Sequence, residues 1–250
     1  MLPLAERLRP KTLQEYIGQK HLVGEGAILR QMIENGNLSS FILWGPPGVG
    51  KTTLARIIAH ELERPFYTLS AVTSGVKEVR EVIDKAKRFV AMHSGLFGAN
   101  NSTSPSANTA ASPILFIDEI HRFSKSQQDS LLGAVEDGTI TLIGATTENP
   151  SFEVISPLLS RCQVYILRSM DDGELSTLLN RAITVDEELR QRNVKVEQTE
   201  ALFKFSGGDA RKLLNILDII AGATDGDITI TDDYVTECLQ QNIALYDKNG

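Results

Sequence analysis

One segment constrains the fold of this chain more than any other. Residues 40–53 read SFILWGPPGVGKTT, an apolar run followed by the complete G-x-x-x-x-G-K-[ST] phosphate loop. Apolar residues then recur at helical spacing, at Leu54, Ile57, Ile58 and Leu62. A strand, a glycine-rich loop and a helix are therefore predicted in the order that phosphate binding needs. The alternative is a chance Gly-Pro turn between a strand and a helix.

The loop predicts a magnesium–nucleotide site. Its candidate nucleotide-binding residues are Gly45, Pro46, Pro47, Gly48, Val49, Gly50, Lys51, Thr52 and Thr53. We expect Gly45, Gly48 and Gly50 to adopt positive φ, so that consecutive N–H groups point at an anion. The following helix start adds partial positive charge. Lys51 can then reach the β- and γ-phosphates, and Thr52 can place its hydroxyl on Mg²⁺.

Composition limits the alternatives. With 250 residues, 42% apolar and 23% charged, the chain fits a soluble globular protein of one or two domains. A net charge of −7 argues against a nucleic-acid footprint over the whole surface, so any DNA contact would be a local patch or arise from several subunits. Cys162 and Cys238 form no C-x-x-C, which suits a reducing compartment. We expect a cytoplasmic protein without a secretory signal or membrane segment.

Strand and helix patterns alternate in the first two thirds of the chain. Five strands are predicted at residues 41–44, 65–69, 114–117, 140–145 and 164–167. Alternation with helical patterns predicts a parallel sheet covered on both faces, an α/β domain over residues 1–168. Residues 98–113 are rich in Asn, Ser, Thr and Ala and are predicted to be a mobile insertion. Strand signals fade after Asp171, so residues 169–250 are predicted to form a small helical domain.

Polar residues follow two of these strands. Asp118 and Glu119 end the run that begins at Ile114, and Asp118 is expected near the Mg²⁺ held by Thr52. The two-residue strand period points Glu119 the other way, which suits a base that orients the attacking water. The alternative is an exposed acidic turn. Thr146 ends a later strand and is a candidate γ-phosphate sensor, unless it only closes a turn before Pro150.

Two arginines are further candidates. Arg161 precedes the fifth strand, where an ordinary surface ion pair is the default interpretation. Arg211 follows Asp209, a natural N-cap, in the first turn of a predicted helix. A cation there opposes the helix dipole, which suggests that it reaches a phosphate. Pairing with Asp209 or Glu200 is the alternative.

Together these segments resemble the AAA+ ATPases, and within them the clamp-loader group. The similarity is strongest to the RarA/MgsA family of replication-associated recombination proteins, to which the eukaryotic Werner-helicase-interacting ATPase is similar. The segments that carry it are LRP at 8–10, FILWGPPGVGKTT at 41–53, ILFIDEIHRFSKSQQD at 114–129, ITLIGATTENPSF at 140–152 and PLLSRC at 157–162. Residues 98–113 depart from the resemblance as an insertion.

The resemblance implies a P-loop AAA+ module, with a five-stranded parallel sheet followed by a helical lid. It implies ATP and Mg²⁺ as ligands. The roles that it implies are phosphate and metal binding for Lys51, Thr52 and Asp118, catalysis for Glu119, sensing for Thr146 and Arg211, an arginine finger acting on a neighbour for Arg161, and adenine contact for Arg9, Pro10 and Ile17.

The resemblance also implies a cellular role. Such proteins are DNA-stimulated ATPases of replication forks and recombination, active on gaps and single-strand/double-strand junctions. They associate with single-strand-binding protein and with the nucleoid, and they continue into a C-terminal oligomerisation domain. We therefore expect homo-oligomers of a longer protein.

Two predicted helix starts are candidates for contact with the DNA backbone. One opens at Ser74, with Lys77 and Arg80 on one face, and the other opens at Ser124 with a capping-box pattern and Lys125. The alternative is a solvated surface, which the interleaved acids favour.

Three other functions stay open. A sliding-clamp loader subunit is one, although the four-cysteine zinc module of the bacterial motor subunit is absent from the sequence. A branch-migration motor is another, although no winged-helix segment is recognisable. The third is a nucleotide-gated scaffold, against which Glu119 argues because a pure switch needs no base.

Overall fold

The structure is a computed structural model that describes residues 2–97, 112–223 and 226–247. The chain divides into two compact units. The sheet unit comprises Lys11–Pro46 and Lys51–Leu167, and the helical unit comprises Met1–Pro10, Pro47–Gly50 and Arg168–Gly250. The predicted insertion at 98–113 lies outside the described residues except for Ser112 and Pro113.

The strands confirm the α/β prediction. They are β1 Phe41–Trp44, β2 Phe66–Ser70, β3 Ile114–Asp118, β4 Thr141–Thr146, β5 Gln163–Ile166, β6 Lys195–Val196 and β7 Thr229–Ile230. The first five form one parallel sheet in the order β2-β3-β4-β1-β5, each within one residue of its predicted bounds. The short β6 and β7 pair in parallel in the helical unit, where no strand was predicted.

Thirteen α-helices lie within the described residues. They are α1 Leu4–Arg7, α2 Lys20–Val23, α3 Ile28–Glu34, α4 Lys51–Glu61, α5 Val76–Phe97, α6 Lys125–Glu136, α7 Pro150–Glu153, α8 Ser156–Leu159, α9 Asp172–Val185, α10 Glu187–Gln191, α11 Glu200–Ser206, α12 Ala210–Ala223 and α13 Asp232–Asp247. A 3₁₀ helix spans Ile120–Arg122. Over the described part of the chain, no helix has the length and apolar character needed to cross a bilayer.

Burial explains why the central strands read as apolar runs. β1, β3 and β4 have neighbours on both sides, and their side chains from Phe41 to Leu43 and from Ile114 to Ile117 are at most 1% exposed. A strand buried on both faces cannot alternate polar and apolar residues. The edge strand β5 is different, since Val164 and Ile166 are exposed.

Helix caps agree with the sequence. Ser124 and Gln127 form the predicted capping box at the start of α6. The Asp209 carboxylate accepts a hydrogen bond from the Lys212 N–H at 3.0 Å, and the Thr231 hydroxyl accepts one from the Tyr234 N–H at 3.3 Å. In the helical unit the predicted apolar faces of α9 and α12 are buried.

Candidate functional site: a phosphate loop beside an acidic strand end

The strand order brings the polar strand ends together at one edge of the sheet. β4 lies between β1 and β3, and Trp44 of β1 is in register with Thr146 of β4. The Gly45 N–H donates a hydrogen bond to the Thr146 carbonyl oxygen at 3.2 Å. The first glycine of the loop is therefore fixed to the end of β4, and Asp118 ends the strand on the other side of β4.

Two loop glycines adopt the left-handed conformation that was predicted for three. Gly48 has φ +71° and Gly50 has φ +92°, but Gly45 does not have positive φ. Gly45 is required for a different reason. A Cβ at that position would come 2.5 Å from the carbonyl oxygen of Leu167, so only glycine permits this close approach of two backbone segments.

Lys51 is the first residue of α4 and is 8% exposed. Its ammonium donates hydrogen bonds to the Gly45 carbonyl oxygen at 2.7 Å and to the Pro46 carbonyl oxygen at 2.9 Å. A buried ammonium needs such partners because it has lost its hydration shell. The lysine thus lies along the loop, and Thr52 and Thr53 follow it in the first turn of α4.

The acidic pair is arranged differently from the prediction. Asp118 is the last residue of β3, but Glu119 has φ +53° and ψ +47° and caps the 3₁₀ helix that follows. The direction of the Glu119 side chain is therefore set by a left-handed residue and not by strand alternation, so the argument from the two-residue period was wrong. Its side chain is 34% exposed, which leaves the carboxylate accessible to water.

Thr146 is fully buried and its hydroxyl is held on three sides. The hydroxyl donates to the Glu148 carbonyl oxygen at 3.1 Å and accepts from the Glu148 N–H at 3.0 Å. Its third neighbour is Nδ1 of His121, also at 3.0 Å. That same nitrogen lies 3.2 Å from Oε2 of Glu119.

His121 was not among the predicted site residues. It stands three positions after Asp118, and the 3₁₀ helix turns it back towards the strand end. A polar residue within three positions of an acidic strand end was the available signal. A histidine in a turn is too common for that signal to be decisive without the contact to Thr146.

Arg161 lies at the amino-terminal ends of the parallel strands, whereas the phosphate loop lies at their carboxyl-terminal ends. It precedes β5, which runs parallel to β1 with Gln163 beside Phe41, whereas the loop follows the far end of β1. Its guanidinium pairs with Glu136 and donates to the Pro157 carbonyl oxygen at 2.6 Å. The surface ion pair that was the default interpretation is thus present in this chain.

The remaining predicted residues fall in both units. Arg211 is exposed in the first turn of α12 and, within the described part of the chain, forms no ion pair with Asp209 or Glu200. Arg9 pairs with Glu6, and Pro10 follows it in the helical unit. Ile17 is half-buried in the sheet unit.

The two predicted helix starts lie side by side. The Gln127 side-chain amide of α6 donates to the Ser74 carbonyl oxygen at 2.8 Å, just before α5. Lys77 and Lys125 are both exposed on this surface. Lys77 lies 3.9 Å from Glu81, a weak contact, so its charge is not strongly neutralised.

The available donors suit Mg²⁺ bound together with a nucleotide better than a metal ion held by protein side chains alone. Within the described residues, no cluster of three or more His, Cys, Asp or Glu side chains could hold a metal ion. A hydroxyl at Thr52 and a carboxylate at Asp118 are hard oxygen donors. Mg²⁺ commonly uses one or two such protein ligands and completes its shell with water and phosphate.

Comparisons with known proteins agree with this geometry. Residues 41–170 match the family described as "ATPase family associated with various cellular activities (AAA)", and residues 188–250 match an AAA C-terminal domain. Replication-associated recombination protein A of Haemophilus influenzae is 43% identical over 254 residues, which cover 99% of this chain and 53% of that protein. ATPase WRNIP1 of Dictyostelium discoideum is 40% identical over 99% of this chain and 29% of that protein.

A solved structure is also similar. Thermotoga maritima RuvB, described as a Holliday junction branch migration motor, is 29% identical with a TM-score of 0.67, over 93% of this chain and 72% of that chain. This chain spans about half the length of the replication-associated recombination protein that it matches.

Proposed function

This chain belongs to the AAA family of ATPases, and from that premise we propose that it binds and hydrolyses Mg-ATP in replication-associated recombination. The observation that carries the proposal is the fixed edge of the sheet, where the phosphate loop, Thr146 and the acidic pair lie together. The names of its relatives support the role in recombination.

The loop is suited to hold the phosphates of ATP. The Lys51 ammonium donates to two loop carbonyl oxygens, and phosphate oxygens would offer it charged acceptors, which form stronger hydrogen bonds. The positive φ of Gly48 and Gly50 is the backbone conformation that allows consecutive N–H groups to point at one anion. Thr52 and Asp118 would hold Mg²⁺, which supplies charge neutralisation at the β- and γ-phosphates.

Glu119 is the proposed base. Its partly exposed carboxylate follows the strand end directly, so it can accept a hydrogen bond from the water that attacks the γ-phosphate. Thr146, fixed beside Gly45, is suited to sense that phosphate. Arg211 is proposed to contact phosphate as well, and Arg9, Pro10 and Ile17 to contact adenine.

Arg161 is proposed to act on the nucleotide of a neighbouring subunit. Within its own chain it lies at the amino-terminal ends of the strands, opposite the ends that carry the loop, which supports action in trans. Its pair with Glu136 would hold it in a defined direction until a neighbour binds. The full protein is then a homo-oligomer, and an arginine finger of this kind raises turnover by roughly 10³–10⁵.

DNA is the proposed regulator. The adjacent starts of α5 and α6 expose Lys77 and Lys125, and helix N-termini and lysines are good phosphate donors. We propose contact with forks, gaps and single-strand/double-strand junctions, association with single-strand-binding protein, and a cytoplasmic location with the nucleoid. The names of the relatives support a role in replication-associated recombination, and the exposed Lys77 and Lys125 support contact with DNA, although the net charge of −7 does not favour it.

The first experiment measures ATP turnover with and without forked, gapped and blunt DNA. Glu119→Gln should still bind ATP, but its turnover rate should fall about 10²- to 10⁴-fold, because an amide is a poor base. Glu153→Gln, a change at an exposed acid of α7, is the matched control. Normal turnover by Glu119→Gln would remove Glu119 from the mechanism.

The second experiment tests the arginine in trans. Arg161→Ala and Glu119→Gln should each be inactive, but their mixture should regain activity, because an intact Glu119 site can receive an intact Arg161. Turnover per chain should also rise with protein concentration. If an affinity tag on one variant co-purifies the other, which demonstrates mixed assemblies, and no activity returns, Arg161 does not act in trans.

A branch-migration motor is the second candidate, because the fold resembles that of a solved motor of this kind. A four-way junction as substrate distinguishes the two. Movement of the junction supports the motor, whereas stimulation only by forks and gaps supports the first proposal.

A further inference from the structure

His121 stands between the two groups that the proposed reaction needs in defined positions. Its Nδ1 lies 3.0 Å from the Thr146 hydroxyl oxygen and 3.2 Å from Oε2 of Glu119. We propose that His121 is a positioning residue, whose Nδ1–H holds the Glu119 carboxylate and connects it to Thr146. The inference rests on the proposed hydrolysis of ATP.

The hydrogen-bond inventory fixes which atom donates. A threonine hydroxyl has one proton, and Thr146 gives it to the Glu148 carbonyl oxygen. With its proton directed there, the oxygen can accept from His121. Glu119, as a carboxylate, can only accept. Both neighbours of Nδ1 thus require a proton on Nδ1, and a bare nitrogen there would face two oxygen lone pairs.

The backbone supports this arrangement. Glu119 is in the left-handed region, which glutamate rarely adopts, and the turn is closed by the Arg122 N–H donating to the Glu119 carbonyl oxygen at 2.8 Å. Ile120, between the acid and the histidine, is 0% exposed and anchors the turn in the core. This turn brings the side chains of residues 119 and 121 together beside the end of the strand. A continued strand would have carried both residues away from it.

The contact affects one carboxylate oxygen and leaves the other for water. Oε2 faces His121, with the Thr147 hydroxyl at 3.5 Å as a longer contact. Among the described residues, no hydrogen bond is formed by Oε1. A carboxylate held by one oxygen cannot rotate freely, so the other oxygen presents a fixed direction to a water molecule.

The kinetic test compares two substitutions of similar size. His121→Leu removes the donor, whereas His121→Asn retains an N–H as many bonds from Cβ as Nδ1. We expect His121→Leu to lower kcat about 10- to 100-fold, as expected when a catalytic group is misplaced. Its KM for ATP should stay within about 2-fold, because no phosphate contact is lost. His121→Asn should recover most of kcat.

A double-mutant cycle distinguishes positioning from stability. In a Glu119→Gln background, His121→Leu should add much less than it does alone, because the histidine acts through the side chain of residue 119. Full additivity of the two losses in kcat would overturn the proposal. So would equal losses of kcat and of thermal stability in His121→Leu and His121→Asn.

A measurement without turnover separates this inference from the proposed function. Nitrogen-15 NMR at pH 8 reports which imidazole nitrogen carries the proton. We expect Nδ1–H for His121 in the unaltered chain, and a shift towards Nε2–H in a Glu119→Leu, Thr146→Val double variant. Nε2–H in the unaltered chain would overturn the inference even if ATP is hydrolysed. Nδ1–H without any turnover would leave the contact intact and overturn the proposed function.

Discussion

Each of the two units of this protein contains an arginine that stabilises the fold, one through ion pairs and the other through hydrogen bonds to neutral oxygens. Arg7 of the helical unit lies among acids, with hydrogen bonds to Asp186 at 2.7 and 3.0 Å and ion pairs to Glu188 and Asp218. Among the described residues, Arg64 of the sheet unit donates to neutral oxygens, the Ser112 carbonyl and hydroxyl and the Thr141 hydroxyl.

The two guanidinium groups respond oppositely to their surroundings. The hydrogen bond to Asp186 raises the pKa of Arg7. Burial lowers the pKa of Arg64 to about 10, because it removes hydration from the charged guanidinium; within the described residues its Nη1 has no hydrogen-bond partner. The helical unit is thus tied by charge pairs across distant segments, whereas the sheet unit uses a long polar side chain to join the amino ends of its strands.

The largest expected effect concerns nucleotide binding, in which Lys51 should matter more than Arg211. Lys51→Ala in the sheet unit should weaken ATP binding at least about 100-fold, because it removes two or more charge-assisted hydrogen bonds to phosphate. Arg211→Ala in the helical unit should cost about 10-fold, the equivalent of one such contact. Calorimetric titration measures both, with the exposed Lys20→Ala as control. Equal losses would contradict the larger role expected for Lys51.

Arg64 should give the largest change in stability. Arg64→Ala leaves the Ser112 carbonyl and two hydroxyls without their donor and opens a cavity, so we expect a loss of about 3 kcal/mol in urea unfolding. The exposed Arg56→Ala serves as control. Arg64→Met should lose less than Ala, because it fills the space without burying a charge. If Met and Ala are equally destabilising, the hydrogen bonds dominate over packing.

Arg7 should matter less, and its effect should depend on salt. Arg7→Ala is expected to cost about 2 kcal/mol, since Asp186 is 4% exposed and loses a charged partner. Arg30→Ala, which removes the exposed pair with Glu34, should cost no more than about 0.5 kcal/mol. Adding 1 M salt should reduce the Arg7 effect and leave that of Arg64 nearly unchanged. Equal salt dependence at both sites would contradict the comparison.

The smallest expected effect is a pH dependence at Asp186. Burial acts to raise the pKa of Asp186, but the Arg7 guanidinium and the Leu189 N–H outweigh it and hold the pKa below the ordinary 3.8. A lowered folded pKa stabilises the native state above the ordinary pKa, and this is lost as pH falls through the folded value. The difference in unfolding free energy between the unaltered chain and Asp186→Asn should therefore narrow below pH 3.8.

Local patterns in the sequence predicted much of this protein. The five strands, the helix caps at Ser124 and Asp209 and the order of the phosphate loop were all confirmed, because each depends on residues within a few positions of one another. The prediction that Gly45 adopts positive φ was wrong. Its requirement comes from Leu167, a residue more than a hundred positions away.

Only the tertiary structure decided which distant residues meet. The order β2-β3-β4-β1-β5 puts Thr146 beside Gly45, and the left-handed turn at Glu119 brings His121 to Thr146. Arg7 and Asp186 are 179 positions apart, and Arg64 and Thr141 are 77 apart. Hydrophobic periodicity and capping act over one or two turns of chain, whereas strand order is settled by how the whole core packs. The sequence therefore determined the parts of the site, and the fold determined their partners.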